Sequence, residues 1–343
     1  MKTRGPSFAK ATAGEQQSPA CSARRSIVGR ELRGSPTNSP KAFRGQKSDR
    51  TGAALMLSLW ALFLLSAMVI SWAINIDAQL TMSGSANRIL EAEAMACSGA
   101  EVALVPNIKP SSPNLKKTVS DRESYDARIS GEGGRLNLSW LVAGEDPERL
   151  EILRKFLEVK GIDLNERERM IDCLLDWVDP DNLVRLNGAE DGEAYTPANS
   201  LLTRLDHLKK VQGWFEYTSN PGWDEELTLN SSGPVDLSWA SRDVLLALPG
   251  MTEPLTDAFL QARRGPDGID ATEDDLHFKS LEEVRGVLGF SEDQFTALKD
   301  LVGFRDPVIR IVSVGKSGDT TRIVQMVVRK VGNGSQMITW KEL

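Results

Sequence analysis

Between Arg50 and Asp77 the chain carries no charged residue, and Ala53 to Ile76 is an almost unbroken run of Leu, Ala, Met, Ile, Val, Phe and Trp. As a helix rising about 1.5 Å per residue, those 24 residues extend about 36 Å. That is enough to cross a hydrocarbon core about 30 Å thick. The run is longer than the apolar part of a secretory signal peptide, and the small-residue cleavage pattern after it is poor. The chain is therefore read as having a single membrane span.

Charge is divided unequally about this span. Met1 to Gly52 holds 11 Lys and Arg against Glu15, Glu31 and Asp49, a balance of +8, so the rest of a chain whose total is −7 carries −15. Basic residues before the span and acidic chain after it orient the amino terminus toward the cytoplasm and the carboxy-terminal bulk outside. The leader, residues 1–52, is rich in Ser, Gly, Pro and Ala without apolar periodicity, which predicts a disordered segment. Over the whole chain, 41% hydrophobic and 26% charged residues exclude a collagen-like, mucin-like or polytopic membrane protein. Three cysteines cannot make a disulfide-dense scaffold.

Helical character continues past the span. No proline occurs from Gly52 to Val105, Ala is frequent, and Leu80, Ile89, Leu90, Met95, Val102 and Leu104 recur among polar residues before Pro106, Pro110 and Pro113. Ala favours helix and Pro ends it, so one long helix is predicted over residues 53–105.

Beyond it, Tyr125 to Ile129 and Arg135 to Leu141 read as short strands around Gly131, Gly133 and Gly134. Val308 to Val314, Thr320 to Val331 and Gln336 to Trp340, separated by Gly-rich turns, read as a three-stranded meander. The predicted sheet thus draws on residues 106–144 and 305–343, and 145–304 is an inserted helical domain. Within it, Leu245 to Thr252 with Leu255 and Phe259, and Val284 to Leu301 around Gly289-Phe290-Ser291, resemble helix-hairpin-helix (SAM-like) units; Lys160-Gly161-Ile162-Asp163 starts a looser third. Ser291 with Gln294 fits a capping box and Thr252 a helix cap. Such hairpins often hold DNA phosphates at helix amino termini, which makes a membrane-anchored DNA receptor the alternative function. Here, however, Glu253, Glu292 and Asp293 occupy those first turns, so the electrostatic term has the wrong sign for nucleic acid.

The sharpest chemical signal is Asp176-Trp177-Val178-Asp179-Pro180-Asp181-Asn182 followed by Asn187-Gly188-Ala189-Glu190-Asp191-Gly192-Glu193, six carboxylates within 18 residues. Hard cations such as Ca²⁺ take six to eight oxygens from carboxylates and loop carbonyls; a solvated acidic loop is the other reading. A second stretch, Asp267, Asp270, Glu273, Asp274 and Asp275 around Gly268, offers similar ligands. His207 and His277 are the only histidines, and no nucleophile, phosphate loop or His-rich metal motif accompanies them, so no enzyme and no small-molecule substrate is expected. Cys97 and Cys173 could bridge only with Cα atoms within about 7 Å; buried free thiols are expected.

The junction Arg50-Thr51-Gly52-Ala53-Ala54-Leu55-Met56-Leu57, basic residues ending in Gly before an apolar helix, resembles the leader junction of type IV pilins and pseudopilins. Most members of that family have Glu at the fifth mature position, where this chain has Leu57. The resemblance is to the large minor pseudopilins of the K family of type II secretion, which lack that Glu. It implies cleavage after Gly52 by a prepilin peptidase and methylation of Ala53. It also implies an α+β, pilin-like fold, with a long amino-terminal helix on a small antiparallel sheet and an inserted helical domain. The function implied is that of the tip subunit of the secretion pseudopilus, in the bacterial inner membrane with a periplasmic carboxy-terminal domain. Its partners would be the I and J minor pseudopilins, meeting the Ala-rich outer half of the long helix. The acidic stretch resembles the calcium-binding segment of that family, which implies Asp179, Asp181, Glu190 and Asp191, with Asp176, as ligands.

Overall fold

The computed structural model describes residues 50–343 apart from Glu193, Ala194, His277 and Asn333. The leader up to Asp49, His277, and Glu193 of the acidic loop lie outside the described residues. The chain divides into two units, Met1–Met68 and Val69–Leu343.

The first helix, α1, is Arg50–Leu104. Gly52 and Ala53 both lie in its first turns. In the first unit every residue from Gly52 onward is exposed, Leu57 at 71%. An apolar surface of that extent is not left to water, and from Gly52 the helix has the length and composition of a membrane span.

The second unit is built on a five-stranded antiparallel sheet. Its first two strands are β1 (Lys116–Thr118) and β2 (Glu123–Gly131). The chain then makes β3 (Leu136–Asn137) and the helices α2 (Leu138–Val142), α3 (Pro147–Val159), α4 (Leu164–Val178) and α5 (Phe215–Ser219). There follow β4 (Leu227–Thr228), β5 (Val235–Asp236), α6 (Arg242–Leu246), α7 (Glu253–Arg263), α8 (Leu281–Leu288) and α9 (Glu292–Lys299). The chain closes with β6 (Val302–Gly303), β7 (Val308–Ser317), β8 (Thr320–Val331) and β9 (Gly334–Glu342). Sheet order is β1-β2-β7-β8-β9, so the strands on either side of the helical insertion become neighbours, with Ile129 opposite Ile311.

Two cores result. Ala96, Ala100 and Ala103 on one face of α1 pack with Ala127, Ile129, Ile311, Val324, Met326 and Val328 of the sheet. One face of the Ala-rich helix is thus used by the chain's own sheet, while Leu80, Met82 and Leu90 stay exposed. The insertion has its own core around Phe156, Leu174, Trp214, Leu245 and Phe259.

Two local expectations change. Arg135 to Leu141 is not a strand: only Leu136 and Asn137 pair, in parallel with Leu227 and Thr228. The Asn137 side chain accepts from the Trp140 amide and turns the chain into α2. The Ser291–Gln294 capping box is present, whereas Thr252 holds the cap position of α7 without a side-chain bond. Cys97 and Cys173 are free, the second buried.

Candidate metal centre

Asp163 starts α4 by accepting from the Asn165 and Glu166 amides at 3.0 and 3.3 Å. The helix lasts until Asp179-Pro180, where Pro cannot continue it. Its buried face is apolar, with Met170, Ile171, Leu174 and Leu175, but that face also carries Asp176, which is fully buried. Asp176 and Asp179 therefore stand at the carbonyl end of a helix, where the helix dipole adds to their negative charge. A positive group is required there.

The loop after α4 folds back over this end. Asp172 Oδ2 accepts from the Asn187 amide and side chain at 3.1 and 2.9 Å. Gly188 then passes so close to Asp176 that a Cβ would overlap its Oδ2. This close approach explains the glycine and brings Glu190 in: one carboxylate oxygen from each of Asp176, Asp179 and Glu190 lies within 4.8 Å of the others.

Among the described residues, Asp179 Oδ1 and both Glu190 oxygens are buried without a hydrogen-bond partner. Burial of the Glu190 carboxylate, then the charges of Asp176, Asp179 and Asp181, push its pKa above the usual carboxylate range, and Arg185 offsets this only in part. Buried unpaired carboxylate oxygens are costly unless a cation or proton reaches them. Three converging hard oxygens fit a cation that prefers carboxylate ligands.

The other sequence-derived candidates stand outside this trio. Asp181 Oδ1 accepts from the Leu183 amide at 2.8 Å, and Asp191 Oδ1 from the Thr196 hydroxyl at 2.9 Å. In the second stretch, Asp270 is bound by Arg263 and Arg264, both at 2.9 Å. Asp267 accepts from the Ile269 amide, Asp275 from the Ala271 amide, and Asp274 from Thr272, while Glu273 is exposed. Sequence reasoning passed over Arg185, whose guanidinium reaches Asp176 Oδ1 at 2.5 Å and also holds Asp179. A lone Arg between two clusters of acids was the available signal.

This site lies in a segment with known relatives. Residues 134–219, from β3 to the end of α5, match the family model described as type II secretion system (T2SS), protein K. The fold is similar to that of a chain in the crystal structure of the GspK-GspI-GspJ complex of the enterotoxigenic Escherichia coli type 2 secretion system. The TM-score is 0.54 at 12% identity, over 78% of this chain and 99% of that one. Residues 134–219 are thus a segment of the type II secretion system protein K family. The type II secretion system protein K of Dickeya chrysanthemi is 35% identical over 69 residues, an alignment spanning 20% of this chain and 20% of that protein. The acidic trio therefore sits within the segment that the family model matches.

Proposed function

We propose that this chain is a protein K family member, a minor pseudopilin at the tip of the type II secretion pseudopilus, supporting export across the outer membrane without catalysis. The observation that carries the reading is the family segment at residues 134–219 set within a fold that matches nearly the whole of a solved pseudopilin-complex chain. In this reading residues 1–52 are a cytoplasmic leader removed by a prepilin peptidase between Gly52 and Ala53. Residues 53–105 are the membrane-spanning and periplasmic helix, 106–144 and 305–343 the pilin-like sheet, and 145–304 the inserted domain. The I and J minor pseudopilins are its partners, and the face of α1 left open by the sheet is where they would meet it.

Acidic first turns in α7 and α9, at Glu253 and at Glu292 with Asp293, favour this reading over a DNA receptor. A cleft of about 430 Å³ is lined by Lys160, Tyr217, Trp223 and Glu226. Burial lowers the Lys160 pKa, but Asp243 and Glu226 outweigh it and hold the ammonium above its ordinary range. That is the opposite of an activated amine nucleophile. The test is co-expression of the full chain with prepilin peptidase and the I and J pseudopilins of the same bacterium. The expected product is a complex in which mass spectrometry finds this chain beginning at Ala53. A chain that stays intact through Gly52, or that elutes apart from I and J, would sink the proposal.

For the acidic trio we propose Ca²⁺, held by Asp176, Asp179 and Glu190, with Asp181, Asp191 and loop carbonyls nearby. A bound ion at about 100 times its Kd stabilises by roughly 2.7 kcal/mol. Chelation should then lower the melting temperature of the full chain in detergent by roughly 5–10 °C. Asp179→Asn combined with Glu190→Gln should abolish the difference between chelated and calcium-loaded protein. An identical melting profile with and without chelator would remove calcium from the account.

A further inference from the structure

The calcium reading leaves one charged residue unexplained. Arg185 Nη1 donates to Asp176 Oδ1 at 2.5 Å and to Asp179 Oδ2, Nη2 donates to Glu145 Oε1 at 2.7 Å, and the Arg185 amide donates to Asp176 Oδ2 at 3.3 Å. These bonds are directional and fill the fork of the guanidinium from both sides. Among the described residues they leave a different set of oxygens without a partner: Asp179 Oδ1 and both oxygens of Glu190. At Asp179 the guanidinium and a cation would thus draw on separate oxygens, Glu190 stays open to the cation, Asp176 accepts from Arg185 through both of its oxygens, and Glu145 anchors the guanidinium from the outside. Coexistence, rather than competition, is what this division of oxygens supports.

Charge sets the consequence. Arg185 sets one positive charge against the three carboxylates of the trio, with Glu145 on its far side. We propose that Arg185 is a permanent positioning residue of the ion site, whose positive charge among the trio disfavours a trivalent cation more than a divalent one. The inference rests on the calcium reading of the trio. In a partly buried site charge is poorly screened by water, so the guanidinium repels a trivalent ion more strongly than a divalent one. Without Arg185 the balance would shift toward the trivalent ion.

The experiment is isothermal titration of the full chain in detergent micelles with Ca²⁺ and with Tb³⁺, for the wild type, Arg185→Gln and Arg185→Lys. For a unit charge a few ångströms from the ion, Arg185→Gln should raise the ratio of Tb³⁺ to Ca²⁺ affinity on the order of tenfold or more. Arg185→Lys keeps the charge and should leave that ratio within about twofold of the wild type. Arg185→Met, which keeps an apolar stem, repeats the neutral substitution in case the amide unsettles the loop, with circular dichroism checking the fold of each. An unchanged ratio in both neutral variants overturns the role of Arg185. So does a rise in both affinities by one factor, which would make Arg185 a competitor for the ion's oxygens. A wild type that takes up no Ca²⁺ instead removes the calcium reading itself, a separate outcome from a wild type that binds with a ratio insensitive to residue 185.

Discussion

Glu132→Ala is expected to destabilise the second unit by about 3–5 kcal/mol, the range for breaking a buried charge pair by deleting one partner. Glu132 is fully buried just after β2. Its carboxylate receives Arg310 Nε and Nη2, both at 2.8 Å, the Thr228 hydroxyl, and Arg135 at 3.4 Å. Arg310 belongs to β7 of the sheet and Thr228 to β4 of the insertion, so one side chain joins the two. Removing it leaves two poorly exposed guanidinium groups facing each other, with side chains 11% and 18% accessible. Burial pushes the Glu132 pKa up, but the hydrogen bonds and charge of Arg310, then Arg135 and Thr228, pull it below the usual carboxylate range. A carboxyl lowered on folding stabilises above its unfolded pKa of about 4.3 and loses that contribution as pH falls through the folded value. Urea unfolding of the full chain in detergent should give a wild type that weakens below about pH 4.3 and a Glu132→Ala protein without that component. A loss under about 1 kcal/mol at neutral pH would count against the network as the tie between sheet and insertion.

Gly315→Val should be at least as damaging, for a steric reason. A Cβ at residue 315 of β7 would overlap the carbonyl oxygen of Ala92 and the amide nitrogen of Ala96, both backbone atoms of α1. Across the same contact, a Cβ at Gly99 would lie 2.9 Å from Tyr125 Cδ2 and overlap the Ser313 hydroxyl. Helix and sheet approach each other closely because glycine and alanine occupy this contact. Overpacking usually costs about 1–3 kcal/mol where side chains can yield; here the obstacle is helix backbone, so a loss of about 3 kcal/mol or detachment of the helix is expected. Gly286→Ala, within α8 with nothing near its Cβ, is the contrast and should stabilise by about 0.4–1 kcal/mol. Thermal melts of both variants check the pair, and equal effects would refute the close helix–sheet contact.

Much of this was legible in one dimension because it depends on local chemistry. The uncharged run after Arg50 needs only its length and composition to be recognised as a helix able to cross a membrane. The alternation in residues 308–342 specifies strands, Gly-rich turns separate them, and the Ser291–Gln294 cap joins residues three positions apart. Alternation misleads where a side chain acts on the nearby backbone, as at Asn137, whose cap turns an apparent strand into α2.

The acidic loop divides in the same way. Its composition announced a cation-hungry segment, yet spacing could not separate Asp176, Asp179 and Glu190, which converge, from Asp181 and Asp191, which satisfy local turns. Convergence depends on how the loop returns over the end of α4, and Gly188 permits that return.

The sequence by itself determined the long apolar helix, the strands at both ends and the acidity, because periodicity, charge and caps act within a few residues. Only the tertiary structure decided that the alanines of α1 face the chain's own sheet, that Glu132 ties sheet to insertion, and which carboxylates meet around Arg185. Each of these joins residues distant in sequence, where burial rather than local propensity sets the energy.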